Sequence, residues 1–457
     1  MNLKLEQNWT TSNNKYPLND EEVIRYIGVL PSAAQIEHAK KPFYCFVHFG
    51  MNTATDREWG NATETVSDFT IAKIKPEQWA KTVKSAGATG IILTCKHHDG
   101  FCLWNTGTTD FNAMNTAFAG DIVKEVSDAC KAQGLDFGVY LSPWDMHEKT
   151  YGTPQYNDFF CRQLTELLTQ YGDIFEVWFD GAKGADAKAF EYDWERYYKI
   201  VRTLQPNANI AICGPDIRWV GNEAGKGRKS EYCVVPKYLT IAETIQKNSP
   251  QTADGAAALQ KISSSDEDLG SRKVLQSNSE LVWYPAEVDV SMSEGWFYHD
   301  GAKVKSADNL FDIYLKSVGN NSFLLLNVPP SDKGVIARKY AARLKKLGEK
   351  IRDIEENPVI VKNFGALKQT DEYIEFKFDS AKKLRYCILE EDISRGQRVE
   401  KFDIYILKSN GKYKKYYSGT VIGMKKIIAV KGTASGALFI IRQSRGVPAI
   451  QKIGFYE

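Results

Sequence analysis

The sequence predicts an α/β chain in two parts, a (β/α)8-like barrel of the TIM type over residues 1–354 and a C-terminal all-β sandwich over residues 355–457. Three observations predict it. From about residue 43, short apolar runs alternate with amphipathic stretches, the rhythm of strand–helix units around a parallel sheet. Beyond Asn357-Pro358 the period changes to two, with Ile374, Phe376 and Phe378 alternating with Glu375 and Lys377. The 457 residues, 43% hydrophobic and 25% charged, are enough to fill a barrel core and a second unit.

The strands are expected at Phe43–Phe49, Ala88–Cys95, Phe137–Leu141, Ile174–Phe179, Asn209–Cys213, part of Val282–Val290, and Phe323–Val328, all rich in β-branched or aromatic residues. Helices fall between them at Pro76–Ala86, Ile122–Gln133, Asp158–Gln170, Tyr192–Leu204 and Leu310–Val318, and a last one spans about Val335 to Ile354. Pro76 suits a first helical turn, where its missing N–H would be unpaired anyway. Gly134 reads as a helix C-cap because glycine accepts φ > 0. From Asn222 to Ser279 the rhythm stops in a stretch rich in Lys, Ser, Gly and Gln, read as long loops over one barrel face. In the last part, Ile404-Tyr-Ile-Leu407 leads to Asn410-Gly411, a type I′ hairpin signal. No internal repeat or low-complexity tract interrupts the chain.

Composition excludes several classes. The 59 Lys+Arg against 57 Asp+Glu give a net charge of +2 with no basic block, so nucleic acid is not an expected partner. Eight cysteines without a CxxC pair, several inside apolar runs, read as buried free thiols and do not require an oxidising compartment. No run of about 18 apolar residues is present, so no membrane span is expected. Met1-Asn-Leu-Lys-Leu-Glu6 lacks the apolar region of a signal peptide. The compartment stays open between a periplasmic or secreted location, with a leader removed, and the cytoplasm.

In a parallel barrel, reactive groups stand at the C-terminal ends of the strands. Here the apolar runs end in His48-Phe-Gly50, Lys96-His-His-Asp-Gly-Phe101, Tyr140-Leu-Ser-Pro-Trp144, Trp178-Phe-Asp180-Gly181 and, after the fifth, Gly214-Pro-Asp-Ile-Arg218-Trp-Val-Gly-Asn-Glu223. A lone histidine is more often a satisfied core or loop residue, but three of the six, His48, His97 and His98, fall at strand ends together. No HxH or HExxH spacing supports a metal, and adjacent strand residues point to opposite faces, so His97 and His98 would share an ion only at an irregular strand end. Trp59, Phe101, Trp104, Tyr140, Trp144, Trp178, Trp219 and Trp296 accompany the polar groups. Aromatic planes beside carboxylates and histidines suit a sugar, whose C–H faces stack and whose hydroxyls hydrogen-bond, although each Trp alone also fits a barrel core. Glycosyl transfer to water needs two carboxyl groups. Asp180 follows a buried strand and precedes Gly181; Glu223 lies in a loop near Gly221 and Gly225. The plainer readings are a helix-capping Asp and a solvated loop Glu.

At these residues the sequence resembles the α-L-fucosidases of glycoside hydrolase family twenty-nine. The matching pieces are His48-Phe-Gly50, Glu58-Trp59, Lys96-His-His-Asp-Gly-Phe101, Trp178-Phe-Asp-Gly181, Gly295-Trp-Phe-Tyr298 and Leu324-Leu-Leu-Asn-Val-Pro-Pro330, over about residues 40 to 330. The resemblance implies a retaining hydrolase on a barrel followed by a β-sandwich, acting on fucosylated oligosaccharides or glycoproteins without a cofactor or metal. It makes Asp180 the nucleophile, with His48, Glu58, Trp59, His97, His98, Tyr140, Trp178 and Arg218 lining the fucose pocket and Trp296 closing it. Arg218-Trp-Val-Gly-Asn-Glu223-Ala-Gly225 resembles the subgroup that cleaves α-1,3 and α-1,4 branches, which favours Glu223 as acid/base over Glu287 in Tyr284-Pro-Ala-Glu-Val-Asp289. Two other readings are a non-catalytic carbohydrate-binding protein with the same pocket and a metal-dependent barrel hydrolase using His48, His97 and His98.

Overall fold

The computed structural model describes residues 16–184, 187–188, 190–247, 265–365 and 373–457. Helices α1 (Asp20–Ile27) and α2 (Ala33–Ala39) come first, each opened by a capping box, Asn19 with Glu22 and Ser32 with Gln35. The barrel then runs β1 (Phe43–Val47), α3 (Met51–Thr55), α4 (Pro76–Ser85), β2 (Gly90–Lys96), α5 (Ile122–Gln133), β3 (Asp136–Leu141), α6 (Pro154–Gln170), β4 (Ile174–Phe179), α7 (Trp194–Leu204) and β5 (Asn209–Ile212). It continues with β6 (Arg218–Trp219), α8 (Ala242–Lys247), α9 (Arg272–Gln276), β7 (Ala286–Ser291), α10 (Ala307–Ser317), β8 (Phe323–Asn327) and α11 (Arg338–Glu355). The eight strands are parallel in the order β5-β4-β3-β2-β1-β8-β7-β6. They are buried almost throughout because helices cover the outer face and side chains fill the inner one, which is why they read as continuous apolar runs.

Pro76 occupies the first turn of α4, and Gly134 ends α5 at φ +65°. Two parts of the expected barrel differ. Strand β6 is only two residues long, too short for any periodic signal, and no helix separates it from β5; the two meet through one isolated bridge, Ala211 with Ile217. The run Val282–Val290 divides into Leu281–Trp283, which pairs antiparallel with Val234–Pro236, and the barrel strand β7. The expectation of loops over one face from Asn222 to Ser279 holds for part of the stretch, with Glu223 and Ile245 at the strand ends, and is corrected for the rest. Its described part contains α8, α9 and half of that ribbon, and Cys233, Val234 and Leu275 pack with Leu18, Tyr26, Trp283 and Ile393 rather than over the strand ends.

The second sheet is antiparallel and comprises β9 (Pro358–Asn363), β10 (Ile374–Glu391), β11 (Val399–Leu407), β12 (Tyr413–Gly419), β13 (Lys426–Ser444) and β14 (Ile450–Tyr456). Its order is β9-β14-β10-β13-β11-β12. Register breaks in β10 after Lys377 and Leu384 divide this long strand, and Phe376, Leu389, Phe402, Ile404, Phe439 and Phe455 fill a core of their own. The hairpin at Asn410-Gly411 forms, but as a five-residue connection: Gly411 N–H donates to Lys408 O and Gly411 alone takes positive φ (+72°), whereas a type I′ turn needs two such residues. Ile388, Ile427 and Tyr456 of this sheet join the barrel's own cluster, so the two parts share packing.

Candidate active site

One pocket opens at the C-terminal ends of the barrel strands. It is lined by Phe46, His48, Trp59, His97, His98, Tyr140, Trp178, Asp180, Gly181, Ala182, Ile212, Trp219, Glu223, Ile245, Asp289 and Trp296. Nine of the expected site residues meet there: His48, Trp59, His97, His98, Tyr140, Trp178, Asp180, Glu223 and Trp296.

The neighbouring strands β3 and β4 pair Tyr140 with Trp178, whose rings stack at 5.3 Å. Asp180 follows β4. Its Oδ2 accepts from the Tyr140 hydroxyl at 2.8 Å and its Oδ1 from the Ala182 N–H at 2.7 Å, a local turn rather than a helix cap, since α7 begins only at Trp194. His98 Nε2 stands 3.8 Å from the same Oδ2. A register shift between Thr94 and Lys96 ends β2 irregularly, and this brings the consecutive rings of His97 and His98 to 4.1 Å in one pocket. Lys96, fully buried, pairs with Asp145 at 2.8 Å beneath them.

The three histidines are neutral in the folded protein. Burial pushes His48 down to about 3, His97 well below its ordinary value, and His98 down as well, the last against the opposing charge of Asp180. Their hydrogen bonds separate their roles. Asn327 donates its amide to Trp296 O (2.7 Å) and Ser291 Oγ (3.0 Å), so its Oδ1 accepts from His48 Nδ1 at 2.9 Å, leaving His48 Nε2 an acceptor. Ser142 donates to Trp144 O and accepts from His98 Nδ1 at 2.7 Å, so His98 Nε2 is also an acceptor. Asn52 Nδ2 faces Glu58 O, Asp99 Oδ2 and His97 Nδ1, so His97 accepts there and its Nε2 carries the proton. Two acceptors and one donor therefore remain for a ligand's hydroxyls.

Glu223 sits exposed at the mouth, but its carboxyl enters the pocket and is held above the usual glutamate value, first by partial burial and then by the Asp180 charge, with Trp296 hydrogen-bonding against the shift and Glu58 adding to it. Asp289, near the end of β7, is a third pocket carboxyl; its Oδ1 accepts from the Trp219 indole at 2.9 Å. Burial first, and then the neighbouring Glu223 and Glu287 carboxyls, push it well above the ordinary aspartate value. The sequence reading placed a strand in only part of Val282–Val290 and fixed no end for it, so the strand-end rule did not select Asp289.

Three expected positions lie elsewhere. Arg218 is fully buried and ion-paired with Glu231, because adjacent residues of β6 point to opposite sides and Trp219 takes the pocket side. Glu58 accepts from the Trp296 and Phe297 N–H groups (2.7 and 3.2 Å) and bonds His299, so it anchors the Trp296 loop instead of lining the pocket. Glu287 is wholly buried below the pocket, accepting from the Trp178 indole at 2.8 Å and from Tyr44. All eight cysteines are free and buried. Among the described residues no group of three or more His, Cys, Asp or Glu side chains is arranged to hold a metal, and no helix is long and apolar enough to cross a membrane.

Residues 37–354 match the family model described as alpha-L-fucosidase. Alpha-L-fucosidase 1 of Arabidopsis thaliana is 34% identical over 93% of this chain and 87% of its own length. A fucosidase of glycoside hydrolase family 29 from Ruminococcus gnavus, solved in complex with fucose, superposes with a TM-score of 0.81 at 27% identity, covering 99% of this chain and 98% of that one. A family 29 member from an unknown rumen bacterium superposes with a TM-score of 0.80 at 33% identity, covering 94% of this chain and 77% of that one.

Proposed function

The chain belongs to the α-L-fucosidase family of glycoside hydrolases, and from that premise we propose that it removes α-1,3- and α-1,4-linked fucose from branched oligosaccharides or glycoproteins by a retaining double displacement. Residues 1–354 carry the chemistry, and 355–457 form the second domain. Asp180 attacks the anomeric carbon while neutral Glu223 gives its proton to the departing oxygen, whose bond to that carbon breaks. Glu223, now a carboxylate, takes a proton from water, which attacks the fucosyl ester and releases Asp180.

One observation carries this reading: the pocket holds Asp180, which accepts two hydrogen bonds, beside Glu223, whose carboxyl is held above the usual glutamate value by burial and then by the Asp180 charge. Esterification of Asp180 removes the charge, so the Glu223 carboxyl becomes more acidic at the step where it must act as base. His48, His97 and His98 bind the sugar hydroxyls, and a sugar of the wrong configuration leaves a buried donor or acceptor unpaired. Trp59, Tyr140 and Trp178 frame its apolar faces, Trp296 closes over it, and Glu58 and Arg218 act from behind the pocket. The linkage preference rests on the Arg218–Gly225 sequence and on Trp219 and Ile245 beside Glu223, where a leaving sugar would lie. Hydrolysis of a panel of fucosylated oligosaccharides of defined linkage tests it. Faster cleavage of linear α-1,2-fucosyl galactose than of the 3- and 4-branched trisaccharides would overturn the linkage assignment.

A further inference from the structure

The segment that carries Trp219 and Glu223 begins in β6 at Arg218 and runs to Arg228, and the guanidinium groups of these two residues converge on one carboxylate. Arg218 Nη2 donates to Glu231 Oε1, while Arg228 donates to Oε2 through Nη1 (3.1 Å) and its backbone N–H (3.3 Å). The side chains of Arg218, Arg228 and Glu231 are 1%, 7% and 0% exposed. Burial alone would raise the Glu231 carboxyl, but the two guanidinium groups hold it below the ordinary glutamate value, so the triad is ionised.

Between these ends the loop is tightly shaped. Gly221 and Gly225 take φ of +100° and +71°, Asn222 accepts from Ala224 N–H and donates to Lys226 O, and a Cβ at Gly227 would come within 2.8 Å of Lys316 O on α10. The charges raising the Glu223 carboxyl are those of Asp180 and Glu58.

The triad is held in turn by the connection between β12 and β13. Glu231 O accepts from Asn321 Nδ2 at 2.7 Å, and Asn321 Oδ1 accepts from Met424 N–H at 2.6 Å. Ser230 and Thr420 hydroxyls hydrogen-bond, Lys426 Nζ donates to Lys229 O at 3.2 Å, and Val421 packs with Tyr232 and Tyr284. Each residue from 229 to 232 therefore touches, directly or through Asn321, the crossover that links β12 to β13 past β11.

We propose that Glu231 is a positioning residue for the acid/base, clamping both ends of the Glu223 loop, and that the C-terminal sheet serves the reaction by holding this clamp with residues 420–426. The proposal rests on Glu223 being the proton donor. Tying a loop at its base by ionic groups gives direction that an apolar plug of equal volume would not, and a proton donor displaced by about 1 Å loses much of its effect.

The test uses the full chain and two aryl fucosides, one with an activated and one with a poor leaving group. Glu231→Gln is expected to lower kcat on the poor leaving group by about tenfold or more, within the general-acid contribution, while the activated substrate and both KM values stay within about twofold. Added to Glu223→Ala, Glu231→Gln is expected to cause no further loss on the poor substrate, because the two act as one unit. Equal losses on both substrates, or full additivity with Glu223→Ala, would overturn the clamp as a positioning device. If Glu223→Ala itself shows no dependence on the leaving group, the acid assignment falls and takes the clamp with it. If Glu223→Ala shows that dependence and Glu231→Gln does not, only the clamp falls. Thr420→Ala, outside the buried triad, carries the same comparison should Glu231→Gln fail to fold: a smaller loss confined to the poor leaving group supports the proposal, and none refutes it.

Discussion

The Tyr140 hydroxyl donates to Asp180 Oδ2 at 2.8 Å, on the oxygen opposite the one that receives the Ala182 N–H. Both carboxylate oxygens are thus oriented before any substrate enters. In the proposed mechanism, a nucleophile so placed loses little freedom on reaching the transition state.

Replacement of Asp180 by Ala or Asn is expected to remove hydrolysis while fucose binding stays measurable by calorimetry, since a lost nucleophile costs few ground-state contacts. A loss below about tenfold in turnover would exclude Asp180 as nucleophile. Tyr140→Phe removes one hydrogen bond to a charged group, worth about 1.5–3 kcal/mol, and so should lower kcat by roughly ten- to a hundredfold.

Glu287 gives a contrasting forecast. Burial raises both Glu287 and its neighbour Glu176, and Glu287 steadies Trp178 through the indole N–H. Glu287→Ala should lower the unfolding midpoint and slow good and poor leaving groups alike, without rescue by azide. Glu223→Ala should slow natural oligosaccharides far more than activated aryl fucosides and respond to azide, because a small anion needs no base. Rescue of Glu287→Ala instead would reverse the assignment.

Asp99 supplies a test of pH dependence. Burial lifts it from 3.8 to about 7, against the hydrogen bond from Phe101 N–H and with the Asp145 and Glu64 charges. Below 3.8 both folded and unfolded forms are protonated; between 3.8 and about 7 only the folded form keeps the proton, so this stabilisation fades as pH rises. Asp99→Asn has no such loss. Its unfolding midpoint relative to wild type should move in the variant's favour from about pH 4 to about pH 7, and a flat difference across that window would disprove the buried acid.

The two-carboxylate mechanism expects full activity after exhaustive chelation. Loss restored by zinc or another ion would favour a metal-assisted hydrolysis instead.

The strand ends were legible because apolar runs stop where side chains leave the barrel core, and this marked His48, His97, His98, Tyr140, Trp178 and Asp180. Arg218 entered the expected pocket through the resemblance alone, and a strand of two residues has no period from which its facing could be read. Asp289 was hidden by two strands of different sheets lying almost end to end at 281–291. The part played by Ser230, Cys233, Val234, Arg272 and Leu275 depends on contacts with Leu18, Tyr26, Glu400 and Thr420, far apart in sequence, which local pattern does not encode.

The single bridge between Ala211 and Ile217 divides the barrel's labour in evolutionary terms. Asp180 and the histidines stand on the continuously paired side, where altering one strand disturbs two neighbours. Glu223 hangs from the seam, beside the least-paired strand, where a change in its loop disturbs fewer strand pairings than one beside Asp180 or the histidines. On the proposed roles, fucose recognition and choice of the glycan that bears the fucose fall on separate halves, and exchanging 219–227 together with its 228–231 anchor is the graft by which a designer would attempt to retarget the enzyme.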